Sequence, residues 1–194
     1  MTTVYTPDSR VWITSDLHLG HDKPFIWEAR GFDSVQEMNQ TIIERFNSLV
    51  KPEDDLYLLG DTMLGKLEDS KPLVAALNGK KHFIIGNHDS NMRTKYYEEL
   101  GWINEGYATI VRKGKWRFYL SHYPTLTANF DDNNRHLPLI NLFGHTHQTN
   151  TFWNDNEYMV NVGVDAHNCA PLELEEVKNI IRDKREEKED YGTA

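Results

Sequence analysis

Residues 82–89 read His82-Phe83-Ile84-Ile85-Gly86-Asn87-His88-Asp89. The apolar half predicts a short buried strand, and Gly86 bounds it. A strand that stops at a glycine and then presents an amide, an imidazole and a carboxylate has polar groups at the carboxyl edge of a sheet. Ligands of open α/β sheets bind at that edge. Asn, Asp and Gly are also ordinary turn residues, so this stretch alone would serve equally as a polar turn.

Recurrence decides between the two. Val11-Trp12-Ile13-Thr14-Ser15 runs into Asp16, with His18 close behind. Leu56-Tyr57-Leu58-Leu59-Gly60 runs into Asp61, Trp116-Arg117-Phe118-Tyr119-Leu120-Ser121 into His122, and Leu139-Ile140-Asn141-Leu142-Phe143-Gly144 into His145 with His147 following. Every such run ends in a side chain able to bind metal. If the strands share sheets with their ends together, two Asp, one Asn and four or five His collect in one place. Metal ligation is the simplest reason for such a collection.

The chain has 194 residues, 39% of them hydrophobic, and one cysteine, Cys169. That length is expected to form a single domain over residues 1–194 with a substantial core. No internal repeat or linker interrupts it. No apolar run reaches membrane-span length, and residues 1–8 carry neither the basic nor the apolar segment of a secretory signal. With no partner for an intramolecular disulfide, Cys169 agrees with a reducing compartment, so a cytoplasmic location is expected. The formal charge of −9 and the absence of a basic stripe argue against duplex nucleic acid and against a membrane surface as partners. Small phosphorylated substrates stay open, because bound cations can supply the positive charge that the chain lacks.

Residues 1–10 read as a polar lead-in; a loop is expected from Leu19 to Pro24, and after it a short helix through Trp27 to Arg30. Ser34 and Glu37 have capping-box spacing. Val35, Met38, Ile42, Phe46 and Leu49 then mark one face of a helix that runs to Val50, where Lys51-Pro52 stops it. Further helices are expected at 68–77 and 172–188, and a helical or irregular piece at 93–100. Residues 106–112 and 115–120 form a hairpin around Lys113-Gly114, and a strand covers 158–162. Residues 123–138 read as a long polar loop, a type commonly functional.

Asp16-Leu17-His18, Gly60-Asp61, Gly86-Asn87-His88-Asp89, His122 and Gly144-His145-Thr146-His147, taken in that order, resemble the motifs of the calcineurin-like metallophosphoesterase superfamily. The resemblance spans residues 16–147. It implies an α/β fold, a four-layer α/β/β/α sandwich of two mixed sheets with a dinuclear metal site at the strand ends. It further implies that Asp16, His18 and His147 hold one ion, that Asn87, His122 and His145 hold the other, and that Asp61 bridges them. The mixed imidazole, carboxylate and amide set suits Mn, Fe, Ni, Co or Zn better than Ca or Mg, and the resemblance favours Mn. His88 would stand beside the leaving group as an acid or charge stabiliser, with Asp89 setting its tautomer or raising its pKa. His21 and Arg30 are candidates for substrate contact, Arg30 as a phosphate clamp; otherwise His21 is a loop residue and Arg30 part of a surface salt bridge. His82 is expected to be structural or on the surface. His136 and His167 could line the pocket, and Cys169 is expected to be a buried small hydrophobe.

Departures from relatives narrow the activity. Thr62-Met63-Leu64-Gly65 and Asp89 stand where Ser/Thr protein phosphatases carry other residues, and the length leaves no room for the added parts of the repair nucleases. Compact bacterial and phage-type phosphoesterases remain. The expected function is hydrolysis of small phosphodiesters, nucleotides among them. The alternatives are a phosphomonoesterase, a nuclease acting on single-stranded ends, and, last, a non-catalytic scaffold.

Overall fold

The computed structural model describes residues 2–127 and 139–192. In chain order the elements are β1 (Thr2–Tyr5), β2 (Val11–Thr14), α1 (Pro24–Trp27), α2 (Val35–Leu49), β3 (Asp55–Leu58), α3 (Leu67–Ala75), β4 (Lys80–Phe83), α4 (Asn91–Glu99), β5 (Ile103–Asn104), β6 (Ala108–Lys113), β7 (Trp116–Ser121), β8 (Leu139–Phe143), β9 (Met159–Asn161), β10 (Leu172–Glu173) and α5 (Leu174–Gly192). They form two mixed five-stranded sheets, ordered β10-β2-β3-β4-β5 and β1-β6-β7-β8-β9. β2, β3 and β4 run parallel in the first, and β7, β8 and β9 run parallel in the second. The expected α/β architecture of two mixed sheets with helices is therefore the one observed.

Two cores explain why these strands read as nearly continuous apolar runs. One face of the first sheet, including Trp12, Leu56, Leu58 and Phe83, packs against Met38, Ile42 and Phe46 of α2, Val74 of α3 and Tyr97 of α4. Its other face, with Val11, Ile13 and Tyr57, meets Val111, Phe118, Leu120, Ile140, Leu142 and Val160 of the second sheet. Leu174, Val177 and Ile181 of α5 complete that second core. A sheet buried on both faces has no polar side to alternate with.

α2 shows the local chemistry well. The Ser34 hydroxyl accepts from the Glu37 amide at 3.1 Å, as the capping box requires, while the Glu37 carboxylate accepts from the amide of Asp33 at 2.8 Å. Val35, Met38, Ile42 and Phe46 are buried as expected, but Leu49 is 38% exposed. The last turn has already rolled past the sheet.

Three strands escaped the sequence. Residues 1–10 are more than a lead-in, because β1 pairs in parallel with β6 from Thr2–Ile110 to Tyr5–Lys113. Val4 is exposed and only Tyr5 packs against the second core, so the ladder does most to make this strand, and no apolar run announces it. β5 and β10 have two residues each, too short for any periodicity. The short helix expected after Pro24 and through Trp27 to Arg30 begins at Pro24 itself, a residue favoured in a first helical turn, and ends at Trp27. The hairpin is as expected, with Gly114 at φ 64° in its turn. His82 proves structural: it is buried, its ring stacks on Tyr57 at 4.4 Å, and its Nδ1 lies 2.8 Å from Glu105. Cys169 is buried. Among the described residues no helix is long and apolar enough to cross a membrane.

Phe46→Ala should cost about 3–5 kcal/mol in urea unfolding, because it empties a fully buried site. Leu49→Ala, one turn on, should cost less than about 1 kcal/mol. Equal losses would contradict this orientation of α2.

Candidate metal centre

The carboxyl ends of the parallel strands in both sheets meet at one edge. Asp16 lies just past β2, Asp61 past β3, Asn87 to Asp89 past β4, His122 directly after β7, and His145 and His147 past β8. The sheets are joined there, since Ser15 forms a parallel bridge with Gly163 and the Val164 amide donates to the Ser15 carbonyl at 3.1 Å. Glycines allow the crowding. A Cβ on Gly60 would sit 2.6 Å from His122 Nδ1 and 2.7 Å from the Gly86 Cα; one on Gly86 would strike the Asp61 carboxylate, and one on Gly144 would strike Ser15 and Asp16.

The backbone is strained at the same place. Asp16, His18, Asp61, His145 and His147 all adopt left-handed φ, between 50° and 68°. Such conformations cost on the order of 1 kcal/mol each for residues with a Cβ and gather at functional sites. Here they turn each side chain out of its strand direction and into the edge.

All seven expected ligand residues come together. Ligand atoms of Asp16, His18 and His147 lie within 4.8 Å of one another, as do those of Asp16, Asp61 and His122. Asp61 Oδ2 stands between two imidazoles, 3.8 Å from His18 Nε2 and 3.5 Å from His122 Nε2. On the far side, Asn87 Oδ1 lies 2.8 Å from His122 Nε2 and 2.9 Å from His145 Nδ1. His122 donates through Nδ1 to the Leu59 carbonyl at 2.8 Å, so in a neutral imidazole the lone pair of Nε2 faces the Asn87 oxygen. Two acceptors aimed at each other call for a cation. Among the described residues Asp16 Oδ1 and His18 Nε2 are buried without any hydrogen-bond partner, an arrangement that is costly unless something else binds there. These residues fit a metal site.

Electrostatics points the same way. Burial, reinforced by His147 and Arg30, pushes the His18 imidazole down to about 2, so it is neutral and able to ligate. Burial followed by the proximity of His122 lowers His145. Burial raises the Asp16 carboxyl, against the pull of His122 and His147, and a bound cation would restore its charged form.

Arg30 is not a phosphate clamp, nor part of a surface salt bridge. Its side chain is 2% exposed, and it donates to both Asp165 oxygens (2.8 and 3.1 Å), to the carbonyls of Leu17 (3.0 Å) and Asp16 (2.8 Å), and to Met38 sulfur. That engages every N–H of the guanidinium. Asp165 in turn accepts from His147 Nδ1 at 2.9 Å. Burial opposes the charge on Asp165, yet the hydrogen bonds from His147 and Arg30 hold its carboxyl well below the usual range. The hydrogen bond to Asp165 raises His147 and fixes its orientation. Asp165 is the site residue that sequence reasoning passed over. Val162-Gly163-Val164-Asp165 has the same form as the other runs, an apolar strand ending in a carboxylate, and that signal was there to find.

Asp89 also differs from expectation. It is buried, with Oδ2 accepting from the amides of Gly86 and Asp61 at 2.9 Å and Oδ1 accepting from the Tyr97 hydroxyl at 3.2 Å. Its carboxylate therefore ties the Asp61 and Gly86 loops together, while the neighbouring His88 is turned outward and exposed. The His88 ring lies 5.7 Å from that of His18, and its amide donates to Asp61 Oδ1 at 2.9 Å. His21 stacks on His18 at 5.3 Å, with the two Nδ1 atoms 3.2 Å apart, which places it at the edge of the cluster. His167 is apart from it, donating Nε2 to the Asn161 carbonyl at 2.7 Å. His136 and residues 128–138 of the long loop lie outside the described residues.

Comparison with known proteins agrees with this geometry. Residues 10–170 match the calcineurin-like phosphoesterase superfamily domain. The chain belongs to that superfamily, and with it to the metal-binding hydrolases of phosphoric esters. An uncharacterized protein of Methanocaldococcus jannaschii, MJ1445, is 30% identical over 89% of this chain and 91% of its own. The Gene 66 protein of Mycobacterium phage D29 is 28% identical over 92% of this chain and 98% of its own. Among solved structures, a protein of unknown function from Aquifex aeolicus, AQ665, shares the fold with a TM-score of 0.66 at 22% identity, covering 89% of this chain and all of that one.

Asp165→Asn should lower affinity for Mn by about 10–100-fold in calorimetric titration, because it weakens the group that orients His147. Arg30→Ala should destabilise the metal-free protein by about 3–5 kcal/mol, because it leaves Asp165 charged and unpaired. Unchanged Mn affinity in the first, or unchanged urea unfolding in the second, would remove the role assigned here.

Proposed function

We propose that this protein is a phosphodiesterase that works with two divalent transition-metal ions, Mn foremost. Asp16, His18 and His147 would hold one ion, Asn87, His122 and His145 the other, and Asp61 both. The observation that carries this is the edge where buried Asp16 Oδ1 and His18 Nε2 have no partner and Asp61 stands between two imidazoles. When bound, such ions neutralise phosphate oxygens and make water a nucleophile near neutral pH.

The chain's own residues supply the rest. His88 is the exposed imidazole next to the cluster, able to hold a proton and release it to a departing oxygen. Asp89 fixes the backbone from which both His88 and Asp61 project, through the amides of Gly86 and Asp61. A preference for diesters is supported by charge. Among the described residues, the guanidiniums of Arg30 and Arg93 are directed at Asp165 and at the carbonyls of Asp16, Leu17, His88 and Gly65. Neither is arranged as the clamp that would meet the second negative charge of a monoester.

The test is hydrolysis of an aryl phosphodiester and an aryl phosphomonoester by metal-stripped protein titrated with Mn. Diester turnover should appear with Mn and be abolished by Asp61→Ala. His88→Ala should bind Mn like the parent and turn over about 10²–10⁴-fold more slowly. Turnover of the monoester alone would overturn the diesterase reading, and an undiminished rate in His88→Ala would remove its role.

A further inference from the structure

A cavity of about 410 Å³ is lined by Pro124, Leu126, Trp153, Asn154, Asn156 and Met159. It falls in the size range of small-ligand pockets. The chain itself connects it to the site, because Tyr123 and Pro124 directly follow His122. That connection is anchored. Thr125 donates its amide to Asn141 Oδ1 at 2.7 Å, Asn141 donates to Ser121 Oγ at 2.8 Å, and Thr127 donates its hydroxyl to the Leu139 carbonyl at 2.5 Å. Trp153, also in the lining, sets its ring edge-on at 6.1 Å to that of Phe143, two residues before His145.

Tyr123 links the two in the chain, between His122 of the cluster and Pro124 of the cavity lining. Its ring centroid is 4.6 Å from that of His145 and 5.1 Å from that of His122, yet the residue is 48% exposed. A half-bare aromatic surface directly beside metal-ligating groups is a surface for something that binds there. Among the described residues the cavity lining carries no charged side chain, which disfavours a second phosphate or a cationic headgroup. It is not purely apolar either. Asn154 has left-handed φ at 48° and makes no side-chain hydrogen bond among the described residues, while Asn156 accepts from the Tyr158 amide through Oδ1 and keeps its NH₂. Aromatic faces with unspent amides at their edge suit a flat, uncharged group that carries donors and acceptors on its rim. An alkyl chain would gain nothing from the amides.

We propose that Tyr123, Trp153 and this cavity form a subsite for a nucleobase, so that the phosphodiesters cleaved are esters of nucleosides. This rests on the phosphodiesterase reading above, and the test separates the two. The Mn-loaded protein is given the p-nitrophenyl ester of thymidine 5′-phosphate and methyl p-nitrophenyl phosphate, which share a leaving group and differ only in what the phosphate retains. The nucleoside ester should be preferred in kcat/KM by about tenfold or more, with the difference in KM. Trp153→Ala and Tyr123→Ala should each shrink that ratio by about tenfold, the scale of one lost base–aromatic stack, and Tyr123→Phe should restore it. Equal use of the two esters, or a ratio untouched by Trp153→Ala, overturns the subsite. If neither ester is cleaved, the diesterase reading fails and the subsite is judged by binding. Saturable quenching of tryptophan fluorescence by thymidine 5′-monophosphate that is lost in Trp153→Phe supports it, and no saturable change overturns it.

Discussion

Lone pairs pressed against lone pairs at the edge of two sheets are the constraint on which this structure depends. His122 Nε2 faces Asn87 Oδ1 and Asp61 Oδ2, while Asp16 Oδ1 and His18 Nε2 are buried with no donor to meet them. Left to itself such a collection would disperse into water, where every acceptor finds a proton. The surrounding protein prevents that. Both cores sit directly beneath the edge and pin the strands, and the bridge between Ser15 and Gly163 ties one sheet to the other where the donors emerge. The arrangement is preorganised for positive charge, as membership of a metal-binding superfamily requires.

The local devices serve that end. A strand delivers side chains alternately to its two faces, so a ligand at a strand end needs a change of backbone direction to aim along the edge. Left-handed φ at Asp16, His18, Asp61, His145 and His147 makes that change, and the glycines at 60, 86 and 144 leave room for neighbouring turns to approach. The strain is offset by hydrogen bonds that no smaller assembly could supply. Arg30, reaching from beyond α1, binds the carbonyls of Asp16 and Leu17 together with Asp165. Asp89, fastened by Tyr97, binds the amides of Asp61 and Gly86. Two buried charges thus hold the two strained turns of the first sheet, and one of them also orients His147 from the second.

This division explains why the residues beside the cluster are not interchangeable with those in it. Arg30 and Asp89 have the chemistry of substrate-binding and catalytic groups, yet their hydrogen-bonding capacity is spent on backbone and on Asp165. His88, Tyr123 and His21 have theirs largely unspent and lie at the open side. The acidic balance of the chain, with its charge of −9, fits a site whose positive charge is brought in rather than built from lysine and arginine.

The sequence by itself determined the architecture and the assembly of donors. Apolar runs of strand length that each stop at Asp, Asn or His, read with the family resemblance that their order carries, implied two mixed sheets with the ligands at the strand ends, and helix α2 was legible from its cap and its 3–4 residue spacing. The tertiary structure alone decided what depends on partners distant in the chain. β1 is held by its ladder to β6, more than a hundred residues on, and leaves no hydrophobic trace. Arg30 meets Asp165 across 135 residues, and the Asp89 carboxylate accepts the Asp61 amide across 28. A side chain's type limits which bonds it can make, but the fold determines which groups come within 3 Å of it. For a guanidinium or a carboxylate, that proximity is the difference between holding a substrate and holding the protein.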